Sequence, residues 1–354
     1  MVQVMTVTGP ISADELGVTA VHIHLLHELR LGLSEQGQLR DFSAASDRAL
    51  VNKPITMDIL GIIRRNNSAN MENRILGDVN EAIDDLKYST MAGGRSIVEC
   101  SIIGMGRDPV GMRKISRASG INVVSCSGWY LNSTHPPYVK DASIDELRAM
   151  LVREMTVGIG NTGIKTGALK AACSGRTLAI PFSGDEEKVL RATARAQAET
   201  GASMNIHPSH HCGHARHWQT YLDVLKEEGA KLEKVYLDHM EWWSWDLDYQ
   251  KSLLDQGANV AYDQFGHEYY MSPGMSYASD RERTAGVVAL VKAGYVKQVF
   301  LSNETSYKTG LRKYGGLGYG HLLENSVLDL KFYGVTDEQI NTMLVENPKR
   351  IIPF

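Results

Sequence analysis

Short apolar runs alternate with amphipathic stretches along almost the whole chain. The runs read as strands at residues 19–21, 96–100, 122–126, 167–171, 203–206, 234–238, 259–262 and 298–302. The stretches between and after them carry helical periodicity at residues 78–91, 110–119, 143–157, 185–201, 218–229, 247–256, 280–292 and 338–345. Local signals fit the helix boundaries. Ser143 followed by Glu146 has the form of a capping box, and Gly201 and Gly229 stand where helix C-caps belong. Eight strands alternating with helices predict an α/β fold, a single closed (β/α)8 TIM-type barrel spanning residues 1–354. A doubly wound sheet would instead need a glycine-rich phosphate turn after its first strand, and this chain has His22-Ile23-His24 there.

Composition narrows the class without redirecting it. A chain of 354 residues with 43% hydrophobic and 22% charged content suits a globular enzyme. A net charge of −4 gives no basic footprint, so no nucleic-acid partner is expected. No apolar run approaches the roughly 20 residues of a membrane span, and the N-terminus lacks the character of a signal peptide. Cys100, Cys126, Cys173 and Cys212 form no Cys-x-x-Cys pair, so they are expected as thiols of a reducing, cytoplasmic compartment.

The candidate chemistry lies at the strand ends. His22 and His24 share one face of the first strand. Lys170 sits within the fourth strand, His207 and His239 end the fifth and sixth, and Glu304 follows the eighth. A lone strand-end histidine is ordinarily a hydrogen-bonded polar residue. Four of them, with a lysine and a carboxylate at one barrel mouth, predict a joint metal site. Two divalent ions are expected, zinc first, with Mn²⁺ or Co²⁺ as alternatives. Lys170 has two readings: a salt bridge across the mouth, or an amine whose pKa is lowered by burial and cations and which adds carbon dioxide to become a bridging carbamate. Glu304 would bind an ion, take a proton, or both, with Asp263 nearby as a second proton-handling group.

This set of strand ends resembles the phosphotriesterase family of the amidohydrolase superfamily, including its phosphotriesterase-related and lactonase branches. The resemblance runs from Thr6-Val-Thr-Gly-Pro to Glu346-Asn-Pro-Lys-Arg, through Ile103-Gly-Met-Gly-Arg-Asp-Pro109, Thr162-Gly-Ile-Lys-Thr-Gly167 and Lys308-Thr-Gly-Leu-Arg-Lys-Tyr-Gly-Gly. It implies His22 and His24 as ligands of a more buried ion, a carboxylated Lys170 as the bridge, and His207 and His239 as ligands of a more exposed ion. Glu304 falls where the family has an aspartate, and Tyr130 where lactonase members have a tyrosine near the reacting hydroxide. Ile23 replaces a polar middle residue of the first motif, but on a strand it points away. Gln264 stands where lactonase members often carry arginine. A homodimer is implied too, with the region 129–138 as a candidate contact.

Substrate choice is expected from two loops. Residues 207–217 hold His210, His211, Cys212, His214, Arg216 and His217, read as loop residues, some facing substrate, rather than a third metal site. Residues 241–246 hold Trp242, Trp243 and Trp245, which either pack on helices or wall an apolar pocket. Tyr130, Trp242, Trp243, Gln264, His210 and Arg216 are the candidate substrate contacts. Lys308, Arg312 and Lys313 are basic enough to meet a substrate carboxylate, with surface roles the plainer reading. The expected reaction is hydrolysis of a small-molecule carboxylic ester or lactone by a hydroxide bridging the two ions. An N-acyl amide of an amino or sulfonic acid is the alternative, with phosphotriester cleavage as a side activity. A barrel that only binds a small ligand, and a metal-dependent lyase or isomerase, are the rival classes.

Overall fold

The computed structural model describes residues 3–29, 49–65, 67, 70–175, 179–208, 216–272 and 275–354. Eight strands form one parallel sheet: β1 (Thr19–Ile23), β2 (Ser96–Glu99), β3 (Asn122–Trp129), β4 (Ala168–Cys173), β5 (Met204–Pro208), β6 (Val235–Leu237), β7 (Asn259–Tyr262) and β8 (Val299–Leu301). Each pairs with its sequence neighbour, so the sheet curls in one direction from β1 to β8. Helices follow or separate the strands, among them α1 (Met57–Arg65), α2 (Val79–Met91), α3 (Pro109–Ser119), α4 (Ile144–Thr156), α5 (Glu186–Thr200), α6 (Trp218–Glu227), α7 (Leu247–Leu254) and α8 (Asp280–Lys292). The expected barrel is the architecture found.

At the seam between β8 and β1 a side chain takes the place of a backbone ladder. The Ser302 hydroxyl donates to the His22 carbonyl at 2.7 Å and accepts from the His22 amide at 3.0 Å. The chain is thus closed at the end where the candidate site lies.

Alternation along the strands sorts core from site. Leu169, Ala171 and Cys173 of β4 join the core between sheet and helices, while Ala168 and Ala172 point into the barrel with Tyr236 and Phe300. Lys170 shares their parity and therefore points inward. Tyr236 and Phe300 stack at 5.6 Å inside the barrel. On β1 the register against β2 shifts between Ala20 and Ile23, an irregularity within the stretch that carries His22. Ile23 packs outward with Ile97 and Val123, as the alternation requires.

The expected capping box forms: the Glu146 amide donates to Ser143 Oγ and the Ser143 amide to Glu146. Gly201 takes the left-handed conformation at the end of α5. Residues 3–12, outside the expected strands, form an antiparallel hairpin, and α1 lies outside the expected helices. The expected last helix is broken into a short helix, Asp337–Asn341, and a π-turn, Thr342–Glu346. Cys100, Cys126 and Cys173 are free, buried thiols; Cys212 lies outside the described residues. Among the described residues no helix is long and apolar enough to cross a membrane.

Candidate metal centre

The six expected ligands come from β4, β5 and the ends of β1, β6 and β8; four of their atoms form one connected set and the other two form a pair. Lys170 Nζ lies 2.9 Å from His22 Nε2, and Glu304 Oε1 lies 3.2 Å from His24 Nε2 and 3.5 Å from His22 Nε2. His239 Nε2 faces His207 Nδ1 at 2.8 Å. All six side chains are buried.

What turns these nitrogens inward is a row of acceptors behind the rings. Asp263 takes His22 Nδ1–H on one oxygen at 2.7 Å, and His239 Nδ1–H on the other, also at 2.7 Å. A proton on each Nδ1 leaves each Nε2 with a lone pair. Behind His24 the logic is a relay: Ser101 Oγ donates to Glu99 at 2.6 Å, so it accepts from His24 Nδ1 at 2.9 Å. Glu99 also receives the amides of Leu25 and Ser101. Tyr130 Oη sits 3.3 Å from His207 Nε2, which leaves His207 Nδ1 facing the other ligands.

His239 adopts φ 58° and ψ 39°, the one left-handed non-glycine residue among those described. The strain of such a position is about 1–3 kcal/mol. Here it lets the His239 amide and ring both reach Asp263, the amide at 3.0 Å. Gly128 is required for a different reason. A Cβ there would lie 1.7 Å from the Lys170 carbonyl oxygen, so only glycine lets β3 pair against β4 beside the lysine.

Burial pushes the imidazoles of His22 and His24 below the usual histidine range, which favours the neutral, ligating form. Burial pushes Asp238 and Asp263 up, and neighbouring carboxylates add to it. At Lys170 two influences oppose each other. Burial pulls its pKa down, but the nearby acids, including Asp238 and Glu304, outweigh this and hold it above the ordinary lysine value. The neighbouring acids thus favour the ammonium form, and the expected lowering by cations belongs to the ion-loaded site.

The donor set suits a divalent ion of zinc's preference for imidazole and carboxylate. Two triads, His22–His24–Glu304 and His22–His239–Asp263, each bring ligand atoms within 4.8 Å of one another. The Asp263 triad is already joined by hydrogen bonds through Nδ1, so Asp263 lies behind the rings, and the inward-facing atoms are those of the other residues.

The remaining candidates separate. Trp242 donates its indole N–H to Gln264 Oε1 at 3.1 Å and packs edge-on against Tyr277 at 5.3 Å. Gln264 reaches Glu304 at 2.9 Å. Trp243 is instead buried against Trp218 in the core, which removes it as a substrate contact. Arg216 is exposed, ion-paired with Asp246 and set over the Tyr249 ring, so it belongs to the surface. His210 lies outside the described residues, as do His211, Cys212 and His214. Lys308, Arg312 and Lys313 pair with Glu72, Glu324 and Glu81. Trp129 is fully buried within this chain's own core, which leaves Tyr138, 40% exposed, as the accessible aromatic of the region 129–138.

Sequence reasoning passed over Glu99, Ser101, His27 and His267. Glu99 ends an apolar strand, the same signal that marked His207. His267 stacks on Tyr277 at 4.6 Å, with Nδ1 3.8 Å from Glu304, and Tyr269 and Tyr307 pack edge-on around it. Together with Trp242 these rings form an aromatic wall beside Glu304.

The phosphotriesterase family model matches residues 2–352. An N-acetyltaurine hydrolase of Xenopus tropicalis is 31% identical over 361 residues, covering 99% of this chain and 98% of that protein. A resiniferatoxin-binding protein from Rhodobacter sphaeroides superposes with a TM-score of 0.91 at 32% identity, covering 99% of this chain and 94% of that one. A lactonase from Listeria monocytogenes shares the fold at a TM-score of 0.78 and 22% identity, covering 99% and 98%.

Proposed function

The chain belongs to the phosphotriesterase family, a family of metal-dependent hydrolases, and from that premise we infer that it cleaves the acyl C–N bond of a small N-acyl amide at a paired-metal centre. The observation that carries the reading is the convergence of His22, His24, His239, His207, Lys170 and Glu304, with acceptors behind the rings directing their lone pairs inward. His22, His24 and Glu304 would hold one ion, His207 and His239 the other, with Lys170 as a carboxylated bridge. Bound there, divalent ions supply an activated water and polarise the scissile carbonyl.

The chain's own residues do the rest. Asp263, Ser101 and Glu99 hold the ring tautomers fixed through the reaction. Glu304, held at Oε2 by Gln264, would present Oε1 beside His22 and His24 and from there take a proton from the attacking water and return it to the leaving nitrogen. The wall of Trp242, Tyr277, His267 and Tyr307 keeps bulk water from that proton.

The amide is ranked above the ester or lactone because the N-acetyltaurine hydrolases match over the full length at about a third identity. A lactone remains the second reading, on Tyr130 beside His207. The test is a panel of N-acyl amino acids, N-acyl sulfonic acids, lactones and a phosphotriester, assayed with and without chelator in ¹⁸O water. Chelator-sensitive amide cleavage with label in the acid supports the reading. Lactone turnover without amide turnover replaces it with the second reading, and turnover without label contradicts hydrolysis.

A further inference from the structure

We propose that Gln264 and Trp242 are positioning residues for metal binding: a two-link hydrogen-bond clamp that sets where the Glu304 carboxylate ends. The inference rests on the metal-centre reading above and adds to it a function for two residues that sequence alone places against substrate.

The chemistry of the three groups fixes the direction of the chain. An indole N–H only donates and an ionised carboxylate only accepts. Between them the Gln264 amide has one possible orientation, Oε1 toward Trp242 at 3.1 Å and Nε2 toward Glu304 Oε2 at 2.9 Å. Gln264 is itself immobilised. It is 1% exposed, its backbone N–H donates to Glu241 Oε1 at 2.9 Å, and its backbone bridges to Asn303, the neighbour of Glu304. The Glu304 amide in turn donates to the Asp263 carbonyl at 2.5 Å. Backbone and side chain of Glu304 are therefore both referred to the segment 263–264.

Such a device is needed because glutamate carries its carboxylate at the end of several rotatable bonds. Unheld, its carboxylate would sample positions that miss His22 and His24, and a displacement of about 1 Å is enough to spoil a ligand set. With Oε2 occupied by Gln264, Oε1 is left at 3.2 Å from His24 and 3.5 Å from His22, the place of a ligand atom. Leucine at 264 would keep the bulk and remove both hydrogen bonds. Phenylalanine at 242 would keep a ring against Tyr277 while removing the donor and part of the indole's bulk.

The test is zinc affinity by chelator competition, and the visible spectrum of the Co²⁺-loaded protein, for wild type, Gln264→Leu, Trp242→Phe, Glu304→Ala and the Gln264→Leu/Glu304→Ala double variant. The expected result is a loss of affinity of about 10–100-fold in Gln264→Leu. Trp242→Phe should lose less, with the same direction of change in the cobalt bands. In the Glu304→Ala background the Gln264 substitution should have no further effect, which a general loss of packing would not produce. Unchanged zinc affinity and cobalt spectrum in both single variants would overturn the clamp, as would full additivity in the double variant. Failure of the wild-type chain to bind either metal would overturn the metal centre and the clamp with it.

Discussion

Replacing Ser302 with alanine should open the barrel at its seam. The hydroxyl satisfies both backbone groups of His22, and Ser302 and His22 are fully buried. Each buried backbone group left without a partner costs about 1–3 kcal/mol. For the two groups together the cost is about 2–6 kcal/mol, and local relaxation places the expected loss in the lower half of that sum, about 3 kcal/mol. A chain of 354 residues unfolds with an entropy of about 0.7 kcal/mol/K, so this corresponds to a melting point lower by about 4 °C. The loss should fall on His22 as well, because the same hydroxyl fixes the backbone that carries its ring, and zinc affinity should weaken in parallel. Urea unfolding of the metal-free protein reads the first effect and chelator competition the second. A stability change under about 0.5 kcal/mol would refute the argument. It would mean that β8 and β1 are held together by something other than Ser302.

Four further outcomes follow from the site. Gly128→Ala, whose new Cβ would meet the Lys170 carbonyl, should destabilise the fold by more than about 4 kcal/mol or prevent soluble expression; near-native urea stability would contradict that. Asp263→Asn removes charge from the acceptor shared by His22 and His239 and should weaken zinc binding by about 10–100-fold, read by chelator competition. Burial pushes Glu99 from 4.5 to about 7, so between those values the folded chain holds a proton that the unfolded chain has lost. Stability should fall as pH rises through that window, by about 3 kcal/mol more in the metal-free wild type than in Glu99→Gln, and parallel pH profiles would refute it. Carboxylation of Lys170 should depend on metal, because the neighbouring acids raise its pKa above the ordinary lysine value; ¹³C-bicarbonate NMR should show a carbamate signal in the loaded protein alone.

The fold was legible because the strand and helix periods are clean: the inward parity of Lys170 and the outward parity of Leu169 follow from counting. The same counting brought His22, His24, His207, His239 and Glu304 to one mouth. It could not foresee the register irregularity in the stretch carrying His22, which depends on pairing with β2, nor the seam at Ser302, which depends on how far the sheet curls. Trp242 and Trp243 are adjacent and alike in sequence, yet one faces Gln264 and the other Trp218, because the 3-10 turn Met240–Trp243 after His239 directs them to opposite sides. Asp263 was read as a proton carrier from its place beside the site. Only its two 2.7 Å bonds to ring nitrogens put it behind the ligands. Asp238 is an unremarkable strand residue in sequence and a neighbour of Lys170 at 3.9 Å in space.

The most direct test of the metal centre is zinc content per chain, measured on wild type and Lys170→Ala purified without chelator after expression with added zinc. The account predicts close to two ions per wild-type chain and a marked loss on removing the bridging lysine. A wild-type chain with no bound metal, or a Lys170→Ala chain that keeps both ions, would contradict it.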